Sequence, residues 1–165
     1  MFTYALSNKQ GKNPEIAKNI RKSIIDNANL IAFKSASDVY GRPMTRYYWG
    51  CNGTVARLAL NLQVAAKISP NKSYNSAIHD IVAHIFGRNY YNRSYVTGVG
   101  INPPMFPHDR RSGSDDIKDP WPGYLVGGGH TATNWNDNQD DYRTNEIAIN
   151  WQGALVFALA GLINE

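Results

Sequence analysis

The run from Ile149 to Ile163, INWQGALVFALAGLI, constrains this chain more than any other feature, because only Asn150 and Gln152 interrupt its apolar character. A helix built from it presents apolar groups in almost every direction and needs other elements packed all round it. The run is shorter than the ~20 residues a bilayer span requires, so protein and not lipid is expected to enclose it. The rest of the chain has to supply that enclosure without covalent help. A single cysteine, Cys51, allows neither an intramolecular disulfide nor a cysteine-based zinc site. At 165 residues, with 42% hydrophobic and 18% charged residues, the composition is that of one folded domain and excludes a disordered tail. The N-terminal residues MFTYALSNKQGKNPE carry no charged leader followed by an apolar run, so no targeting or membrane segment is expected here.

Three further helices are legible. Asn13 followed by Pro14 and Glu15 reads as an N-cap with proline at the first helical position, and Ile16, Ile20, Ile24, Ala28 and Ile31 recur at helical spacing. The pattern predicts a helix from about Pro14 to Lys34. Val55, Leu58, Leu62 and Ala65 share a face until Ser69 and Pro70 break the pattern. Between Tyr74 and Phe86, Ile78, Ile81, Val82 and Ile85 define another helix, with Gly87 placed for a left-handed cap. Alternating helices and loops suit antiparallel helical hairpins in a single all-α domain without internal repeats.

Charge is divided along the chain. Through Arg93 there are 13 basic and 4 acidic residues; beyond it there are 4 basic and 9 acidic. The basic residues of the first half, such as Lys18, Arg21, Lys22, Lys34, Arg57 and Lys67, are scattered through helical patterns and form no run with interleaved aromatics. That distribution suits a solvated face, or a surface meeting an acidic region, and not nucleic acid.

From Ser94 to Asn145 periodicity disappears. Five of the eight prolines fall between Pro103 and Pro122, and seven of the fourteen glycines between Gly98 and Gly129. Loops of this length in a compact domain usually carry function. Eight of the thirteen acidic residues lie between Asp109 and Glu146, among His108, Arg110, Arg111, His130, Trp121 and Trp135. Carboxylates beside aromatics suit sugars, whose C–H faces stack on Trp and Tyr while their hydroxyls need polar partners. Ordinary loop capping would use the same residue types.

Two strings decide between these readings. SYVTGVGINPPMFPHDR, from Ser94 to Arg110, and WNDNQDDYRTNEIAINWQG, from Trp135 to Gly153, resemble the two signature regions of glycoside hydrolase family 9, the cellulases. In the first, Ser94, Val96, Thr97, Gly100, Asn102, Pro107, His108 and Arg110 fall at the family's spacing; in the second, Trp135, Asp137, Tyr142, Glu146 and Ala148 do. PWPGYLVGG joins them, and the resemblance extends upstream through FGRNYYNRSYVTG and YYWGCNGTVA to YALS at Tyr4. The chain departs from the family at Asp109, where a second His is common, and at Gln152 and Gly153, where Asn-Ala is common.

The resemblance implies an all-α fold, part of an (α/α)6 barrel of six helical hairpins, with the Gly/Pro-rich loops forming the cleft. It implies inverting hydrolysis of β-1,4-glucosidic bonds by the complete enzyme, an endo-1,4-β-glucanase acting outside the cell on a β-1,4-glucan. Glu146 matches the general acid, and Asp137, the aspartate of the second signature, is carried over with it as a catalytic residue. His108 and Arg110 match substrate-binding positions, and Trp49, Trp151 and Tyr142 are carried over as further substrate-binding residues. Trp49 and Trp151 are also readable as core aromatics, and His108 as a loop hydrogen-bonder. His79, His84 and His130 match no ligand spacing and read as structural or surface residues. No cofactor is required, although the family leaves room for a structural calcium near Asp137, Asn138, Asp140 and Asp141 or near Asp115, Asp116 and Asp119. Neither group fits an EF-hand.

Glu146 also looks placed at a helix start, where the dipole favours the anion and an acid needs a counterweight from Asp137, Asp140 or Asp141, or from Trp135 or Trp151. Inverting hydrolysis needs a second carboxylate as base. The family takes it from an Asp-Ala-Gly-Asp motif, and no such string occurs here. Residues 1–165 therefore read as the C-terminal portion of one catalytic domain, partnered by an absent N-terminal portion and inactive alone. A stand-alone, non-catalytic carbohydrate-binding or structural helical module is the alternative.

Overall fold

The computed structural model describes residues 1–163 and is helical, with no strand among the described residues. A one-turn helix α1 (Phe2–Leu6) precedes α2 (Pro14–Ser37), α3 (Cys51–Ile68) and α4 (Lys72–Phe86). The loop region follows. It contains the single turn α5 (Tyr142–Asn145) and leads to α6 (Ile149–Leu162). All four long helices expected from periodicity are present.

Their ends follow local chemistry. The Asn13 side chain accepts hydrogen bonds from the amides of Glu15 and Ile16, satisfying two of the donors that a helix start leaves free. Asn71 caps α4 through the Ser73 amide. Gly87 does end α4 at positive φ, but at +146° it lies outside the expected left-handed helical cap.

Helix α3 is the centre, packed against α2, α4 and α6. Val55, Ala56, Ala59, Leu62 and Ala65 are fully buried, and the alanines let its neighbours approach closely. Ile24, Ala28 and Ile31 of α2 and Ile78, Ile81 and Ile85 of α4 complete the core from two sides. On a third side come Trp151, Ala154, Leu155 and Ala158 of α6.

Helix α6 corrects the expectation of complete enclosure. Ile149 is 90% exposed, Val156 65% and Phe157 49%, so α6 is covered on one side only. Leu30 and Phe33 on the outer face of α2 are also exposed. The basic first half is partly internal: Arg42, in the α2–α3 loop, is buried, with its guanidinium against the Tyr47 ring and one hydrogen bond to the Arg46 carbonyl. His84 lies buried nearby, and burial first, then the Arg42 charge, lowers its pKa to about 4.

Candidate active site

The loop region is ordered by polar side chains and scattered backbone pairing instead of regular elements. Val96 pairs with Leu125, Val126 with Ile147, and His108 with Glu146. Short segments therefore lie side by side in the order 95–97, 124–127, 146–147 and 108. They are tied by amides donating from Thr97 to Tyr124, from Val126 to Tyr95, from Gly127 to Glu146 and from His108 to Asn145, at 2.9 to 3.0 Å.

Helices α3 and α6 hold this ribbon by their first turns. The Asn52 amide donates to the Gly127 carbonyl and its side chain to that of Val126. The Gln152 carboxamide reads Leu125 twice, accepting from its amide at 2.7 Å and donating to its carbonyl at 2.9 Å. Gln152 is one of the three positions that depart from the family pattern, and its extra length is spent on the ribbon.

Glu146 stands in this ribbon. The sequence placed it at a helix start; the structure places it at the end of α5, in extended backbone (φ −70°, ψ 155°) before the Ala148 cap of α6. It is therefore not within the first turn of α6. The expectation failed because the short helix and the chain reversal that follows it are set by tertiary partners and not by periodicity. The carboxylate is half-buried, and Oε2 accepts a hydrogen bond from Trp49 Nε1 at 2.8 Å.

Trp49 reaches Glu146 from the loop before α3. It is 49% exposed and meets Trp151 edge to face, with ring centroids 5.1 Å apart. Trp151, expected to bind substrate, is only 4% exposed and stands behind Trp49. Its slot exists because three glycines line it. A Cβ at Gly50 or at Gly53 would lie 2.3 Å from the indole, and one at Gly127 3.2 Å from it. Gly50 also has φ +75°, a second reason for glycine there.

Residues joined by a bridge face the same side, which puts His108 beside Glu146. His108 Nδ1 faces the Gln139 carbonyl, so Nδ1 is the donor and Nε2 is left for another partner. The ring of Tyr142, 57% exposed, lies 6.2 Å from that of His108. Arg110 is exposed on the same loop, two residues on, where its carbonyl accepts from Ser114. Asp109, between His108 and Arg110, is turned inward, with Oδ1 on Arg111 and Oδ2 buried without a hydrogen-bond partner.

Asp137 is engaged throughout. Its oxygens accept from the amides of Met105 and Phe106 and from the Asn145 side chain, and it pairs with Arg93 at 3.0 Å. Sequence reasoning missed Asn145. Fully buried, it accepts from Trp135 Nε1 at 3.1 Å and donates to the Phe106 carbonyl at 2.6 Å, welding the residue before Glu146 to the loop before His108. Its one sequence signal is adjacency to Glu146. Trp135 is buried against Tyr91 and Tyr95, with Arg93 over its ring. Trp135 is thus packed within this support and not beside the Glu146 carboxylate.

Among the described residues, no three His, Cys, Asp or Glu side chains converge in a way that could hold a metal ion. In the acidic stretch considered for calcium, Asp137 is spent on amides and Arg93, and Asp141 on Thr144 and Arg143. No described helix is long and apolar enough to cross a membrane.

Comparison with known proteins converges on one family. The family model described as glycosyl hydrolase family 9 matches residues 2–159. The chain is 60% identical over 166 aligned residues to Endoglucanase D of Acetivibrio thermocellus, covering 99% of this chain and 27% of that protein. It is 36% identical over 142 residues to a xyloglucan-specific endo-beta-1,4-glucanase of Bacteroides ovatus, covering 74% and 23% respectively. Among solved structures, a single mutant of a thermostable endoglucanase from Alicyclobacillus acidocaldarius superposes with a TM-score of 0.91 at 25% identity, over 99% of this chain and 35% of that one. The chain thus spans about a quarter of the length of the Endoglucanase D it matches.

Proposed function

Because this chain belongs to glycosyl hydrolase family 9, we propose that it is the acid-bearing portion of an inverting β-1,4-glucanase, completed by a further portion of the same catalytic domain. Glu146 is the general acid: it protonates the glycosidic oxygen as the bond to the anomeric carbon breaks, while water attacks from the opposite face. The base that deprotonates that water belongs to the absent portion, ~6.5 to 9.5 Å from Glu146 in the assembled site. The substrate is a β-1,4-glucan, and the complete enzyme works outside the cell.

The observation that carries this reading is the setting of Glu146. It is a half-buried carboxylate on a rigid ribbon, with His108 on the same side and an indole N–H on one oxygen. His108 through Nε2, Arg110 and Tyr142 offer hydrogen-bonding and stacking groups to sugar, and Trp49 offers an exposed ring. Asp137, with its oxygens on the 105–106 amides, positions the loop and does not react. Trp151 acts from behind Trp49.

The test is reducing-sugar release from carboxymethylcellulose by this chain alone, by the complete domain, and by separately produced portions mixed together. The chain alone should be inactive and the complete domain active, with the E146Q complete domain as blank. Hydrolysis by this chain alone would require a base among Asp115, Asp116, Asp140 and Asp141 and would overturn the division of labour.

A further inference from the structure

Trp49 is bonded to the one carboxylate the proposed chemistry depends on, and the indole N–H can only donate. A neutral carboxylic acid has one oxygen that accepts well, its carbonyl, and one that carries the proton. With Trp49 Nε1 at 2.8 Å from Oε2, the arrangement that keeps this hydrogen bond in the acid form has Oε2 as carbonyl and the proton on Oε1. We propose that Trp49 is a positioning residue that confines the transferable proton of Glu146 to Oε1 and fixes the direction of its delivery. This rests on Glu146 being the general acid.

The surroundings of Trp49 suit that task. Its ring meets Trp151 edge to face, and Trp151 sits in the glycine-lined slot of Gly50, Gly53 and Gly127, so the Trp49 ring has a packed partner besides its hydrogen bond to Glu146. The backbone of Glu146 is held independently, its carbonyl accepting from Gly127 and the neighbouring Asn145 being anchored on both sides. Backbone and side chain are thus located by separate contacts, and the remaining freedom of the carboxyl group is which oxygen bears the proton.

In the step itself, the bond between the anomeric carbon and the leaving oxygen breaks and the Oε1 proton passes to that oxygen. The attacking water gives its oxygen and one proton to the anomeric carbon as the new hydroxyl, and its other proton to the base of the absent portion. Glu146 is left as a carboxylate, still accepting from Trp49 at Oε2. A donor of fixed polarity therefore serves both ends of the step.

The experiment compares W49F with the unmodified enzyme in the complete catalytic domain, on cellotetraose and on 2,4-dinitrophenyl β-cellobioside, whose leaving group departs without a proton. Loss of the N–H should cut kcat on cellotetraose by about tenfold or more and reduce the aryl glycoside rate several-fold less, because only the first depends on acid delivery. Equal losses on both substrates would mean that Trp49 acts through sugar stacking or general structure, and would overturn the proposal, as would unchanged kcat on cellotetraose. If W49F does not fold, benzothienylalanine at position 49 replaces the N–H with sulfur in a ring of the same shape, and the same comparison applies. E146Q in parallel separates the two levels: full turnover by E146Q refutes the acid assignment, whereas an inactive E146Q with an unselective W49F refutes only the role of Trp49.

Discussion

The ribbon of loops around Glu146 and the helical face of α6 invert the usual relation between regularity and completeness. The ribbon has almost no secondary structure, yet side chains tie it down: Asn145, Asp137, Asn52 and Gln152 each satisfy backbone groups from a distant segment. Helix α6 is regular over its whole length and is left open, with Ile149, Val156 and Phe157 exposed. Backbone hydrogen bonds inside a helix need no neighbour, so α6 can form while its packing is unfinished. A loop without periodicity has no such reserve and is ordered by side chains and backbone pairing from distant segments. The loop half is therefore held by contacts within this chain, the first turns of α3 and α6 included, whereas α6 keeps an apolar face uncovered.

The largest effect should come from the chemistry that the ribbon supports. In the complete domain, E146Q should lower kcat on cellulose by roughly 10² to 10⁴ with substrate binding retained, measured by steady-state hydrolysis and cello-oligosaccharide titration. Near-normal turnover would leave the ribbon a rigid scaffold without a reaction. Next, Asp137→Ala removes the acceptor of two amides and takes the carboxylate from Arg93, which should destabilise the complete domain by about 2 to 4 kcal/mol in urea unfolding. A loss under about 1 kcal/mol would mean that the loops are held by something other than this side chain.

The helical half carries a pH signature. His84 is neutral in the folded state down to about pH 4 but protonates near 6.5 when unfolded, because burial and the Arg42 charge oppose the cation. Between these values the unfolded chain binds the extra proton, so this contribution to stability is present above pH 6.5 and is lost as pH falls toward 4, by at most about 3 kcal/mol. The urea midpoint of His84→Gln should fall less steeply across that window than that of the unmodified domain; parallel slopes would remove His84 as the cause.

Phe157→Glu tests the open face directly. In the chain alone it should shift size-exclusion profiles toward monomer, since a charge interrupts an exposed apolar surface. In the complete domain, where that surface is expected to be covered, the same change should cost roughly 2 kcal/mol or more. Identical behaviour in both settings would mean that nothing docks on α6. The smallest effect is expected at the edge of the ribbon, where Arg110→Ala should raise KM for oligosaccharides by about tenfold, near 1.4 kcal/mol, with little change in Tm. Unchanged kinetics would make the loop after His108 structural only.

Local pattern alone determined the four long helices of this protein, because spaced apolar residues, the Asn13 cap and the Gly87 stop act within a few residues of themselves. The two signature strings around His108 and Glu146 likewise pointed to the candidate site, since a motif needs no coordinates. Tertiary structure alone decided how that candidate site is built. Nothing in the order of residues brings Gly50, Gly53 and Gly127 to the same indole, turns Trp151 inward behind Trp49, or spends Asp137 on amides some thirty positions away. Glu146 was misplaced at a helix start for the same reason: its extended backbone is held by Gly127, and the residue before it by Trp135 and Phe106, partners from three other parts of the chain. Periodicity reports the contacts a residue makes with its own turn of helix, and a loop held by side chains from elsewhere has none to report.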